Sequence, residues 1–182
     1  MKAANKINTE ERSKKVRFEQ QDCDFVCALA VNGNKNQKIS HIMDYFDYWI
    51  TFMSEEKLTG TVVFDIDDTL IDYNGNTIKR VVESLKHCLR NKFDVCIVTA
   101  RHEKHREETI AELEAHGIKP NMYKCLEMHP NDLSHDFDTV SQTKAAARRK
   151  INLKHPIIAN VGDMFTDLVV HPLKKSVKII SK

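Results

Sequence analysis

The sequence predicts an α/β protein: a Rossmann-like, doubly wound parallel five-stranded sheet with helices on both faces. Three observations predict it. Five short apolar runs alternate with stretches of helical periodicity, and polar residues stand directly after several of those runs. The chain has 182 residues, 41% hydrophobic and 30% charged, with five Gly and four Pro, a composition that suits one domain with its own core and excludes a disordered or fibrous chain. A fusion of two enzymes is excluded by the length. The net charge of +2 is too small to point to a polyanion ligand, so nucleic acid stays open without support from composition.

Residues 1–20 are polar, mixed in charge and without apolar periodicity, and are expected to form a mobile tail. The remainder, 21–182, is expected to be one domain. Cys23 and Cys27 stand four apart beside Asp22 and Asp24, but no second Cys/His pair completes a zinc site, and ordinary thiols are the simpler reading. The five cysteines are odd in number and mostly scattered, which suits a reducing compartment. The early apolar run at 25–31 follows acids instead of a basic segment, and no run approaches the roughly 20 apolar residues that span a bilayer. A cytoplasmic protein without membrane contact is therefore expected.

From Ile39, the positions Ile42, Met43, Phe46, Trp49, Ile50 and Met53 fall three and four apart, one face of an amphipathic helix over 39–55. Packing against the domain is its simplest role. Tyr45, Tyr48 and Phe52 broaden the stripe, which favours as an alternative a partner surface or a homo-oligomer contact. Strands are expected at 61–66, 93–98, 122–128, 156–161 and 177–180, and helices near 78–91, 103–116 and 140–152. In such a sheet ligands bind beyond the carboxyl ends of the strands, where the strand order reverses.

The first strand, TVVF, runs into Asp65-Ile66-Asp67-Asp68-Thr69-Leu70. Alternation would put Asp65 and Asp67 on one side only while the chain stays extended. Two acids held together repel, and a divalent cation is a direct remedy. The second strand leads to Thr99-Ala100-Arg101, the fourth to Gly162-Asp163 with Thr166 and Asp167 following, and the helix before it carries Thr143-Lys144. Three carboxylates, a hydroxyl and a lysine at one rim describe a magnesium and phosphate site. Thr99 could equally cap a helix, His102 and His105 read as a polar helix start, and Arg148, Arg149 and Lys150 read as a solvated basic face. No Gly-rich GxxxxGK[ST] segment is present, which excludes a P-loop kinase.

These four segments resemble the motifs of the haloacid dehalogenase (HAD) superfamily of phosphohydrolases. Closer in, VVFDIDDTL at 62–70, IVTARHE at 97–103, and TKAAARRKI and ANVGDMFTDL within 143–168 are similar to the acid phosphatase branch, which includes bacterial class B and class C enzymes and plant vegetative storage proteins. The resemblance covers about residues 60–170. It implies a magnesium-dependent phosphomonoesterase, acid phosphatase or nucleotidase-like, that works through an aspartyl-phosphate. Asp65 would be the nucleophile and Asp67 the acid and base, with Lys144 neutralising charge. Thr99, Ala100 and Lys144 would bind phosphate, along with backbone N–H groups following Asp65. Asp65, Asp67 (through its carbonyl) and Asp163 would hold Mg2+, with Thr69 and Asp167 supporting them.

About thirty residues separate Asp65 from Thr99 and about twenty separate Lys144 from Asp163, too few for an inserted cap domain. An open site could admit a phosphate on a macromolecule, or be completed by the 39–55 helix or a second subunit. The alternatives to a small-molecule phosphatase are accordingly a nucleic-acid end (3'-) phosphatase, a phosphoprotein phosphatase, and a non-catalytic storage or binding protein on the same scaffold.

Overall fold

The structure, a computed structural model, describes residues 35–167 and 175–178. The polar tail, the Cys23/Cys27 pair and the end of the fifth apolar run lie outside the described residues. Helix α1 (Lys35–Glu55) is followed by β1 (Thr61–Phe64), α2 (Lys79–Arg90), β2 (Asp94–His102), α3 (Arg106–Ala115), β3 (Cys125–His129), α4 (Phe137–Lys154), β4 (Ile157–Gly162) and β5 (Lys175–Lys178). Single 3-10 turns occupy Glu103–His105, Pro120–Met122 and Phe165–Asp167.

The five strands form one sheet in the order β3-β2-β1-β4-β5, and every neighbouring pair is parallel. The chain builds outward from β1 to β3, then crosses back to β4 on the other side of β1. The order therefore reverses between β1 and β4, and residues following these two strands share a crevice. β1 is buried at all four positions, as a central strand covered on both faces must be.

Alternation along the strands divides the core in two. Val62, Phe64, Val95, Ile97, Ala159 and Val161 face α1, α2 and α3. Val63, Cys96, Val98 and Ile157 face Ile151 and Ala147 of α4. α1 begins four residues before its apolar stripe and presents that stripe inward: Ile39, Ile42, Met43, Phe46, Trp49 and Ile50 are buried, with Phe46 edge-on to Phe64. Arg80 of α2 reaches Asp44 and Asp47 at 2.8 Å each, pinning the two helices together. The stripe is thus consumed within one chain, while Tyr45 and Tyr48 remain exposed.

α4 starts at a proper cap: the Asp136 carboxylate accepts from the Thr139 N–H and hydroxyl, both at 2.9 Å. The segment from 66 to 78 is a tight hairpin. Asp72 accepts from the N–H groups of Asn74 and Asn76, and Gly75 takes the left-handed conformation (φ 78°) that the reversal needs. Only this hairpin and α2 intervene between β1 and β2, and only α4 and its leading loop between β3 and β4, so no cap domain is inserted at either place.

Candidate active site

β1 ends at Phe64, and the next residue, Asp65, is fixed by its N–H donating to the Val161 carbonyl at 3.0 Å. Its carboxylate is therefore delivered into the reversal crevice, 3% exposed. From the opposite face α4 sends in Lys144, whose Nζ donates to Asp65 Oδ1 at 3.0 Å and to Asp167 Oδ1 at 2.6 Å. β4 ends in Gly162-Asp163, and the short turn beyond it brings Asp167 back underneath. One oxygen each from Asp65, Asp163 and Asp167 lies within 4.8 Å of the others, and all three residues are buried.

Gly162 makes that return path open. A Cβ there would stand 2.3 Å from Asp167 Cβ and 2.6 Å from Asp167 Cγ, so any side chain would push the carboxylate away. Asp167 already accepts three hydrogen bonds where it is: Oδ1 receives Lys144 and Arg148, and Oδ2 receives the Met164 N–H at 3.1 Å. Its role is to hold Lys144 and its own turn, which leaves Asp65 and Asp163 as the better cation ligands.

Arg148, one turn after Lys144 on α4, is the functional-site residue that sequence reasoning assigned to a solvated face. It is wholly buried, and its guanidinium donates to Asn160 Oδ1 (3.2 Å), the Thr166 carbonyl (3.1 Å) and Asp167 Oδ1 (3.5 Å). The signal was present: Lys144 and Arg148 are four apart, hence on one helix face.

Three carboxylates thus meet two cations in a space with little water. Burial first, and Asp167 second, push the Asp65 carboxyl up to about 7 against the pull of Lys144. Burial works against the Lys144 ammonium too, but Asp65 and Asp167 outweigh it and raise its pKa. The charge balance is negative and the donors are hard oxygens, so the residues fit a divalent cation of the magnesium type.

The structure does not bring the Asp67 side chain into this cluster. The pairing of β1 ends at Phe64, before either acid, so strand alternation does not hold Asp65 and Asp67 on one side. Asp67 turns outward, where the Arg101 fork takes Oδ1 through Nη2 (2.7 Å) and Nε (3.1 Å) and Oδ2 through Nε (3.1 Å). Arg101 also pairs with Glu112. Thr99 is buried within β2, which runs on to His102; it caps no helix, and its hydroxyl accepts from the Arg101 N–H at 3.2 Å. The Ala100 carbonyl lies 2.9 Å from His135 Nε2. Thr69 is buried with its hydroxyl lacking a hydrogen-bond partner. His102 meets His129 edge-on and His135 at a tilt, both at ring separations of 4.9 Å, while His105 pairs with Glu108 on α3.

A doubly wound α/β sheet with three buried carboxylates and a lysine gathered at its reversal point defines the structural class of the chain. The family comparison is more specific: residues 72–180 match the HAD superfamily, subfamily IIIB (acid phosphatase), and the chain belongs to that family. The match starts beyond Asp65 and Asp67, so those two positions stand on the geometry above. Among solved structures, the chain is similar to the class C acid phosphatase from Bacillus anthracis, with a TM-score of 0.52 and 16% identity over 72% of this chain. At that identity the likeness is one of fold, and the chain spans 65% of the length of that structure. A search of curated proteins finds no match. No helix among the described residues is long and apolar enough to cross a membrane.

Proposed function

We propose that the protein is a divalent-cation-dependent phosphomonoesterase in which Asp65 is the nucleophile. The observation that carries this reading is the buried Asp65, Asp163, Asp167 and Lys144 cluster at the sheet's reversal point. Asp65 and Asp163 would hold the cation, magnesium by its fit to hard oxygen donors, with the Asp67 carbonyl adding a neutral ligand. When bound, the cation supplies positive charge that lets a carboxylate approach a phosphate dianion.

The remaining work falls to this chain's own groups. Lys144 neutralises the phosphoryl oxygens from the α4 side, and Thr99 with the Ala100 N–H donates to them from β2. The Asp65 carboxylate attacks phosphorus, the bond to the leaving oxygen breaks, and an aspartyl-phosphate results. Asp67, at the rim, gives the leaving oxygen a proton and later accepts one from water. Oδ2, which meets one Arg101 donor where Oδ1 meets two, is the oxygen we assign to that transfer. With no cap inserted between β1 and β2, the site stays open to phosphates of varied size. The presence of the whole cluster weighs against the storage-protein alternative.

The test is hydrolysis of a chromogenic phosphomonoester by metal-stripped protein with and without Mg2+, beside the Asp65→Asn variant. Activity should appear only with the cation and fall by several orders of magnitude in Asp65→Asn. Undiminished turnover in excess chelator, or a fully active variant, sinks the mechanism. Extending the assay to nucleotides, phosphopeptides and 3'-phosphorylated oligonucleotides separates the substrate classes.

A further inference from the structure

We infer that Arg148 is a positioning residue for the cation centre, tying the turn that carries Asp163 and Asp167 to α4 and β4. The inference rests on the cation reading above and deepens it. Three facts carry it. The guanidinium is wholly buried, although a buried charge costs several kcal/mol to desolvate and an apolar side chain of similar volume would often serve stability as well or better. Its three named hydrogen bonds go to two parts of the site wall: the side chain of Asn160 on β4, and, in the turn beyond it, the carbonyl of Thr166 and the carboxylate of Asp167. Asp167 in turn grips Lys144, which grips Asp65, so Arg148 is the far anchor of a chain that ends on the nucleophile.

The guanidinium also carries charge of the same sign as the bound cation, and so repels it. If charge were its contribution, removing it would tighten cation binding. If positioning is its contribution, removing it loosens the turn and weakens binding in spite of the gain in negative charge. The two roles therefore predict effects of opposite sign. Lysine keeps the charge but is a single point donor, and it cannot span three acceptors as the planar fork does.

The experiment is Mn2+ binding, followed by the free-ion paramagnetic resonance signal, to wild-type protein, Arg148→Met and Arg148→Lys. Both variants should bind about 10–100-fold more weakly, the range for residues that orient metal ligands. Tighter binding by Arg148→Met with unchanged binding by Arg148→Lys overturns the inference. Circular dichroism and melting of the metal-free proteins report folding separately. If neither variant folds, Asn160→Ala frees one arm of the fork without touching its charge, and unchanged affinity there overturns the inference as well. A wild-type protein that binds no Mn2+, or binds it equally after Asp163→Asn, removes the cation reading itself, and the role of Arg148 falls with it.

Discussion

At the scale of single residues, the site depends on space as much as on charge. Gly162 has no special backbone angle; it is glycine because Asp167 occupies the volume that a Cβ would need. Gly162→Ala should displace the Asp167 carboxylate, cost about 1–3 kcal/mol of stability, and lower kcat more than KM. Denaturant midpoints and steady-state kinetics would check this, and a variant with wild-type kinetics would mean that the turn absorbs the methyl group. Asp65 gives a second prediction. Its carboxyl keeps its proton to about pH 7 in the folded, metal-free protein, against 3.8 ordinarily. Between those values the native state binds more protons than the unfolded state, so this group makes stability fall as pH rises from about 4 to 7. The wild-type melting temperature should drop across that window relative to Asp65→Asn, and parallel curves would contradict the shift. Asp65 and Asp163 could be located from sequence because each follows a recognisable strand, and Lys144 because it lies on a recognisable helix between the third and fourth strands. The outward turn of Asp67 was hidden, since strand alternation stops at a point that the hydrophobic pattern does not mark. Arg148 was hidden by its neighbours: in Ala145-Ala146-Ala147-Arg148-Arg149-Lys150, basic residues in a row look solvated until the helix face of Lys144 is extended by four.

At the scale of elements, α1 illustrates how a periodic stripe fixes existence better than role. The spacing of Ile39 through Met53 specified the helix, and its burial against Phe64, Val82 and Leu85 is what any apolar face seeks. Whether that face meets its own domain or a partner depends on the tertiary arrangement of α2, which local pattern does not carry. Ile50 is wholly buried, so Ile50→Ala should destabilise the protein by about 2–5 kcal/mol. Tyr48 is exposed, and Tyr48→Ala should change stability by less than about 0.5 kcal/mol. Urea unfolding of both variants decides this; a large effect at Tyr48 together with a change of particle size in light scattering would instead show that the outer face is an interface. β2 supplied a smaller surprise. Its pairing with β3 is irregular between Val98 and His102, and the extended conformation nevertheless runs on past the expected end, which carries Thr99 and Arg101 on a strand and not on a helix start.

At the scale of the whole molecule, the centre joins parts of the chain that are far apart in sequence. Lys144 and Asp65 are separated by 79 residues, and Asp167 lies a further 23 beyond Lys144. The larger core, which gathers α1, α2, α3 and most of the sheet, contains no residue of α4 and can collapse before the charged cluster is assembled. Docking of β4 in that core already closes the long loop, so the desolvation of the charged groups is the step we expect to come late in folding. A cation that needs the finished cluster then has nothing to bind in the transition state. Its binding energy should appear almost entirely on one side of the barrier: saturating Mg2+ should slow unfolding in proportion to the stability gained, about tenfold for each 1.4 kcal/mol, and leave the refolding rate nearly unchanged. Stopped-flow chevrons with chelator and with Mg2+ would show superimposed folding arms and separated unfolding arms. Separation of the folding arms would mean that Asp65, Asp163 and Lys144 meet early. If the cation binds as proposed, the crossover that makes the site would also make it a brake on the protein's loss, with no part in its formation.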